Sequence, residues 1–344
     1  MSLLKILGKN PSGKRLERIK QSSNYKNNIF QNLSKTDQLS KDSSYFKILR
    51  DNFSKSKKTE PNKKLPFVKT DLKALNSTEP TIVWFGHSSY LIRINTKNIL
   101  VDPVFSGSAS PFSFMIKAFD GANEYGVDEM PEVDLLLLTH DHYDHLDYKT
   151  LQLLRSKVKQ VYCSLGVGSH LEHWGFKESI ITEFDWWDSH SFENDIEITA
   201  VPARHFTGRT TVRAKTLWSS FILKTKTHSI FLGGDSGYDS HFKTIGEKFG
   251  PFDIALLESG QYNTAWPFIH MMPEQTVQAS IDLNAKVLFP IHWGKFALAM
   301  HDWDEPITRV LKKAEELNVT LTTPKIGEPV VLGQPLPKSN WWEI

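Results

Sequence analysis

The chain has 344 residues, 40% of them hydrophobic and 12% aromatic, with 41 Lys and Arg against 39 Asp and Glu for a formal net charge of +2. That is enough chain to bury a sizeable core in one large or two small domains, and no apolar run reaches the ~20 residues of a membrane-spanning helix. A single cysteine, Cys163, excludes an internal disulfide framework, suits a reducing cytosol and leaves any metal site to His and carboxylate.

In chain order, residues 1–73 hold 18 basic and 6 acidic residues, a charge of +12, and the remainder holds 23 against 33, a charge of −10. The opening MSLLKILGKNPSGKRLERIK is interrupted at Lys5, Gly8 and Lys9 and makes a poor secretory signal. Residues 1–75 read as a basic, Lys/Asn/Ser-rich extension, partly disordered or helical. Its charge suits either solvation or an anionic surface of lipid or nucleic acid. Tyr45–Phe53 is expected as a short helix and Pro61–Pro66 as a linker. Residues 76–344 form the expected catalytic domain. There Thr81–Gly86, Ser89–Ile94 and Ile99–Val104 predict hairpin-like strands. Val133–Thr139, Val161–Ser164, Glu197–Ala203, Ser219–Thr225, Ser229–Gly234, Asp253–Ser259 and Lys286–Ile291 predict buried strands. Helices are expected over Leu146–Lys157, Phe242–Lys248, Pro273–Leu283 and Glu305–Leu317, the last with Pro306 in its first turn. Hairpins followed by strands alternating with helices predict an α/β fold, two packed sheets with helices outside. No G-x-G-x-x-G follows the first strand, so a doubly wound dinucleotide fold is second choice.

The stretch LLLLTHDHYDH, Leu135–His145, ends an apolar strand in three histidines and two aspartates. Side chains at a strand end stand on a rigid base. His140 and His142, two residues apart, can share one cation, and Asp144 and His145 can face a second. So many ligand groups in one loop would repel and lose solvation without an ion. Other strand ends must complete the two shells, and each candidate is a polar residue directly after an apolar run: His205, Asp235 in GGDSG, and His292. A carboxylate between two ions ~3.5–4 Å apart can serve both. The division is His140, His142 and His205 for one metal, Asp144, His145 and His292 for the other, and Asp235 between them. Zinc is the default for such ligands, two ions per chain, with iron or manganese as alternatives.

H-x-H-x-D-H after an apolar strand, followed by a later His, Asp and His, resembles the metallo-β-lactamase fold superfamily, from about Thr81 to Glu328. WFGHSSYLI (Trp84–Ile92), DPVFSGSASP (Asp102–Pro111), THDHYDHLDY (Thr139–Tyr148), EFDWWD (Glu183–Asp188), GDSGY (Gly234–Tyr238), KFGPFDIA (Lys248–Ala255) and IHWGKFALA (Ile291–Ala299) look like its N-acylphosphatidylethanolamine-hydrolysing phospholipase D branch. The resemblance implies an αβ/βα four-layer sandwich. It also implies a zinc-dependent phosphodiesterase that releases N-acylethanolamine and leaves phosphatidic acid. It further implies peripheral contact with membrane, with dimers formed by some members; together with the single cysteine this gives the expectation of a cytoplasmic protein at the membrane surface. It points to His270 as a residue near the substrate phosphate, and to Trp266, Phe268, Met271 and Met272 as an apolar wall for acyl chains.

The expected mechanism is metal-assisted hydrolysis by a bridging hydroxide, with Asp144 and His270 as catalytic side chains. Asp141 and Asp147 are expected to support the ligands from outside, Asp147 by orienting a ligand histidine. A lactonase or other ester hydrolase would use the same centre. A nuclease is the weaker alternative, because the catalytic body is net acidic.

Overall fold

The computed structural model describes residues 3–40, 43, 58–193 and 195–344. The expected helix at Tyr45–Phe53 lies outside them. Two mixed sheets face each other. The first runs β15-β3-β4-β5-β6-β7-β8, with β3 Thr81–Trp84, β4 Tyr90–Ile94, β5 Lys97–Val101, β6 Val133–Leu138, β7 Val158–Ser164, β8 Ile181–Phe184 and β15 Pro329–Val331. The second runs β14-β13-β12-β11-β10-β9, with β9 Ser189–Phe192, β10 Ile196–Val201, β11 Ser220–Lys224, β12 Ser229–Leu232, β13 Ile254–Glu258 and β14 Leu288–Ile291. A small hairpin, β1 Tyr25–Lys26 and β2 Ile29–Phe30, precedes both.

The period of two in a strand explains the four layers. On β6, Leu135 and Leu137 point between the sheets, against residues such as Phe221, Leu232 and Leu256. Leu136 and Leu138 point outward, beside Leu151, Leu154 and Leu171 of the helices Tyr148–Leu154 and Gly168–His173. Each of the four leucines is wholly buried, a stabilisation of roughly 2 kcal/mol apiece. The second sheet buries Phe231, Ala255 and Leu257 under the helices His241–Phe249, Pro273–Asp282 and Glu305–Glu316. This is the α/β sandwich expected from the sequence. No helix among the described residues is long and apolar enough to cross a membrane.

The described part of the basic extension packs on this body, across the expected boundary near residue 75. Helices Leu3–Leu7 and Gly13–Lys20 open it. Arg15 donates to both oxygens of Glu172, at 2.8 and 2.9 Å, and to Glu183 Oε2 at 2.8 Å. Glu183 Oε1 accepts from Gly166 and Gly168 N–H. Removing the guanidinium leaves a buried carboxylate without its cation, so Arg15→Ala is expected to cost about 2–3 kcal/mol. The shift of the urea midpoint checks this, and an unchanged midpoint would mean that the segment is held elsewhere.

Candidate metal centre

Seven strand ends deliver polar side chains to one edge of the sandwich. From the first sheet come His87 after β3, Asp102 after β5, and the loop Thr139–Asp147 after β6; from the second come His205 after β10, Asp235 after β12, Glu258 at the end of β13 and His292 after β14. The turn before Asp235 must run close to its neighbours. A Cβ on Gly234 would lie 2.5 Å from Ser219 O and 3.1 Å from Thr139 Cβ, so glycine is required there. His87, Asp102 and His292 hold left-handed backbone, φ +55°, +40° and +66°. The strain is held by pairing: His87 N–H donates to Trp293 O and His292 N–H to His87 O.

The structure brings together all seven of the expected ligands. His140, His142, His205 and Asp235 form one group and His87, Asp144, His145 and His292 another, with the ligand atoms of each within 4.8 Å of one another. Asp235 faces both. Its Oδ2 lies 3.7 Å from His140 Nε2 and 3.7 Å from His205 Nε2. Its Oδ1 lies 3.2 Å from His145 Nε2 and 3.2 Å from His292 Nδ1. Buried and without a hydrogen-bond partner are His145 Nε2, Asp235 Oδ1 and His292 Nε2. Unpaired buried groups cost about 1–3 kcal/mol each, so this lining suits cations, and its nitrogen and carboxylate donors suit a metal of the zinc type.

Charge supports the same conclusion. Burial pushes His140, His205 and His292 well below the usual imidazole range, despite the Asp235 carboxylate, which leaves them neutral with lone pairs to offer. Burial opposes ionisation of Asp235, but His145, itself raised well above the usual imidazole range, outweighs it and holds the carboxyl well below its ordinary value. Outer partners fix the rings. His145 Nδ1 donates to Asp102 Oδ2 at 2.7 Å, and His205 Nδ1 donates to Ile269 O at 2.8 Å. Each bond leaves Nε2 free to face the centre. Asn32, from the N-terminal segment, donates to His205 O and accepts from its N–H. A cavity of about 250 Å³ lies between residues 29–38 and His205, Phe206 and Ile269.

The roles expected of Asp147, Asp141 and Met271 need correction. Asp147 orients no histidine: it caps the helix Tyr148–Leu154, accepting from Lys149 N–H, Thr150 Oγ and Ser106 N–H. The residue that holds His145 is Asp102. Asp141 turns away from the ligands and accepts from Gly208 N–H, Thr216 Oγ and His170 Nε2. Met271 is no wall for a substrate; it is buried in the helix-covered core with Val277 and Leu257. Met272 serves as the cap of the helix Pro273–Asp282. Trp266 is half-buried and donates from its ring to Gln261 O, while Phe268 is 37% exposed with the Arg204 guanidinium over its ring.

His270 does reach the centre. Its ring meets those of His205 and His292, with centroids 5.0 and 5.3 Å apart, and its Nδ1 donates to Glu258 Oε2 at 2.9 Å. Burial works against the imidazolium, but the carboxylate outweighs it and lifts His270 above the usual imidazole range. His87 and Glu258 were not singled out from the sequence. Both end strands, after TIVWFG and in IALLE, so the rule that found Asp235 and His292 also reaches them.

Residues 97–293 match a family model described as a beta-lactamase superfamily domain. A protein of Mycobacterium tuberculosis is 36% identical over 329 residues, which span 94% of this chain and 88% of that one. The mitochondrial N-acyl-phosphatidylethanolamine-hydrolyzing phospholipase D of Saccharomyces cerevisiae is 31% identical over 247 residues, 67% of this chain and 51% of the yeast protein. The matched region is thus about half of that relative. Among solved structures, Igni18, a metallo hydrolase from Ignicoccus hospitalis, aligns with a TM-score of 0.58 and 20% identity over 75% of this chain and all of its own. That likeness is one of fold.

Proposed function

Because the chain belongs to the beta-lactamase superfamily, as a metal-dependent hydrolase with the metallo-β-lactamase fold, we propose that it is a zinc-dependent phosphodiesterase acting on N-acylphosphatidylethanolamines, releasing N-acylethanolamine and leaving phosphatidic acid. The observation that carries the phosphodiester reading is His270, a ring held by Glu258 against the two ligand groups, where a phosphoryl anion needs a donor. The name of the yeast relative supports the lipid.

His140, His142 and His205 would hold one cation, and Asp144, His145 and His292 the other, with Asp235 shared. When bound, such a pair makes water nucleophilic at neutral pH and offsets charge on phosphoryl oxygens. The protein supplies the rest. Asp102 and Ile269 O keep the ring nitrogens of His145 and His205 aimed inward. Asp144 accepts from His87 Nε2 at 2.9 Å on Oδ2, which fixes its carboxylate toward the cation that it would hold and lets it orient the attacking water by hydrogen bond. His270 donates to a phosphoryl oxygen as charge builds there. The substrate sits in a bilayer, which entails peripheral membrane contact. Phe112 and Phe114, exposed by 42% and 73% on the loop beside Asp147, are apolar surface suited to it.

Zinc-loaded protein with N-acylphosphatidylethanolamine in mixed micelles is expected to yield N-acylethanolamine by mass spectrometry. No turnover of this lipid, with turnover of lactones instead, would overturn the phosphodiester reading and leave the hydrolase.

A further inference from the structure

Glu258 is a carboxylate at 1% exposure on the last residue of β13, and nothing in the proposed ligand set uses it. Its two oxygens do different work. Oε1 accepts from two backbone donors, Ser236 N–H at 3.1 Å and Met271 N–H at 3.0 Å. Oε2 accepts from His270 Nδ1 at 2.9 Å. The backbone carbonyl of Glu258 also accepts from Thr276 Oγ. The carboxylate is therefore anchored by chain segments on both sides of the centre, one directly after Asp235 and one on the loop that carries His270. The His270 ring has only one direction left for its second nitrogen. Among the described residues, Nε2 makes no hydrogen bond within the protein, and the ring, unlike those of His140, His145, His205 and His292, is only partly buried.

We propose that Glu258 is a positioning residue for substrate recognition, fixing the His270 ring through Nδ1 so that Nε2 faces a phosphoryl oxygen over the metal centre. This rests on the phosphodiester reading above and adds to it the residue that makes His270 a fixed donor rather than a mobile one. Fixing the ring beforehand removes the ordering cost of binding, and a carboxylate on the far nitrogen is the ordinary device for aiming an imidazole.

The anchoring also predicts what an isosteric change does. In Glu258→Gln the two backbone N–H groups hold the amide oxygen, so the NH2 group faces His270 Nδ1. Donor then meets donor, and the ring either turns away or gives up its Nδ1 proton, and with it the charge that strengthens its bond to an anion.

The test is a double-mutant cycle on the metal-loaded full chain, with inorganic phosphate as the probe. Its affinity is measured by calorimetry and metal content by mass spectrometry. Glu258→Gln and His270→Ala are each expected to weaken phosphate about tenfold, a cost of ~1.4 kcal/mol, with the metal content of the wild type. The double variant is expected to bind like His270→Ala alone, because Glu258 acts through that ring. Glu258→Asp, which keeps the charge but withdraws it by one methylene, is expected to fall between wild type and Glu258→Gln and serves if the Gln variant does not fold.

Unchanged phosphate affinity in Glu258→Gln would overturn the proposal, as would a further loss in the His270→Ala background. Loss of a metal equivalent in Glu258→Gln would overturn it too. Asp235, Glu258, His270 and His292 bring ligand atoms within 4.8 Å of one another, and that result would make Glu258 a ligand. Phosphate binding needs no lipid turnover, so a failure of the lipid reading leaves this cycle interpretable.

Discussion

Asp235→Asn is expected to lower turnover by about 10³-fold, the scale on which a preorganised charge-stabilising group contributes, and to lower metal content with it. The side chain is nearly isosteric, so the fold should persist. The chemistry is not. One oxygen of Asp235 faces His140 and His205 and the other faces His145 and His292. An amide offers one oxygen, so one of the two groups loses its shared ligand. The NH2 group that replaces the other oxygen has no lone pair to offer a cation. Metal analysis beside kinetics separates the outcomes. Two metals per chain with full activity in the variant would show that Asp235 is not the shared ligand.

Removing metal is expected to be the second large effect. Chelation should abolish activity, with recovery on adding zinc, and should lower the Tm by roughly 5 °C. That corresponds to about 4 kcal/mol of linkage, for a metal present at a thousand times its Kd. The reason is visible in the lining. His145 Nε2, Asp235 Oδ1 and His292 Nε2 are buried without partners, and only binding removes that cost. Burial also opposes protonation of His140, His205 and His292, so at these rings a proton cannot replace a cation cheaply; at His145 the carboxylates of Asp235, Asp144 and Asp102 outweigh burial and favour one. A scanning melt with and without chelator checks this. An unchanged Tm would mean that the lining does not depend on metal.

Much of this was legible before the structure, and for a physical reason. A buried strand is a continuous apolar run, and its end is where polarity must return. LLLLTHDHYDH, ARH, GGDSG and PIH all follow that pattern, and the four stretches converge. What stayed hidden lacks such a contrast. Strand β8 mixes half-buried with buried positions and β9 exposed with buried ones, and neither has a clear period. Asp102 and His87 act through left-handed backbone, a conformation that no periodicity reports. Asn32 reaches His205 across 173 residues from a polar, irregular segment, which composition alone marks as solvated. Met271 and Phe268 belong to one apolar stretch, yet one is core and the other is 37% exposed. Which side of a loop faces solvent is decided by the packing of the helix Pro273–Asp282.

The most direct measurement is a turnover of N-acylphosphatidylethanolamine in ¹⁸O-labelled water by the zinc-loaded protein, with both products weighed. Attack on phosphorus predicts one ¹⁸O in phosphatidic acid and none in N-acylethanolamine, and no product from Asp235→Asn. Label in a released fatty acid instead, with the phosphodiester intact, would contradict the account and make the centre a carboxylic-ester hydrolase.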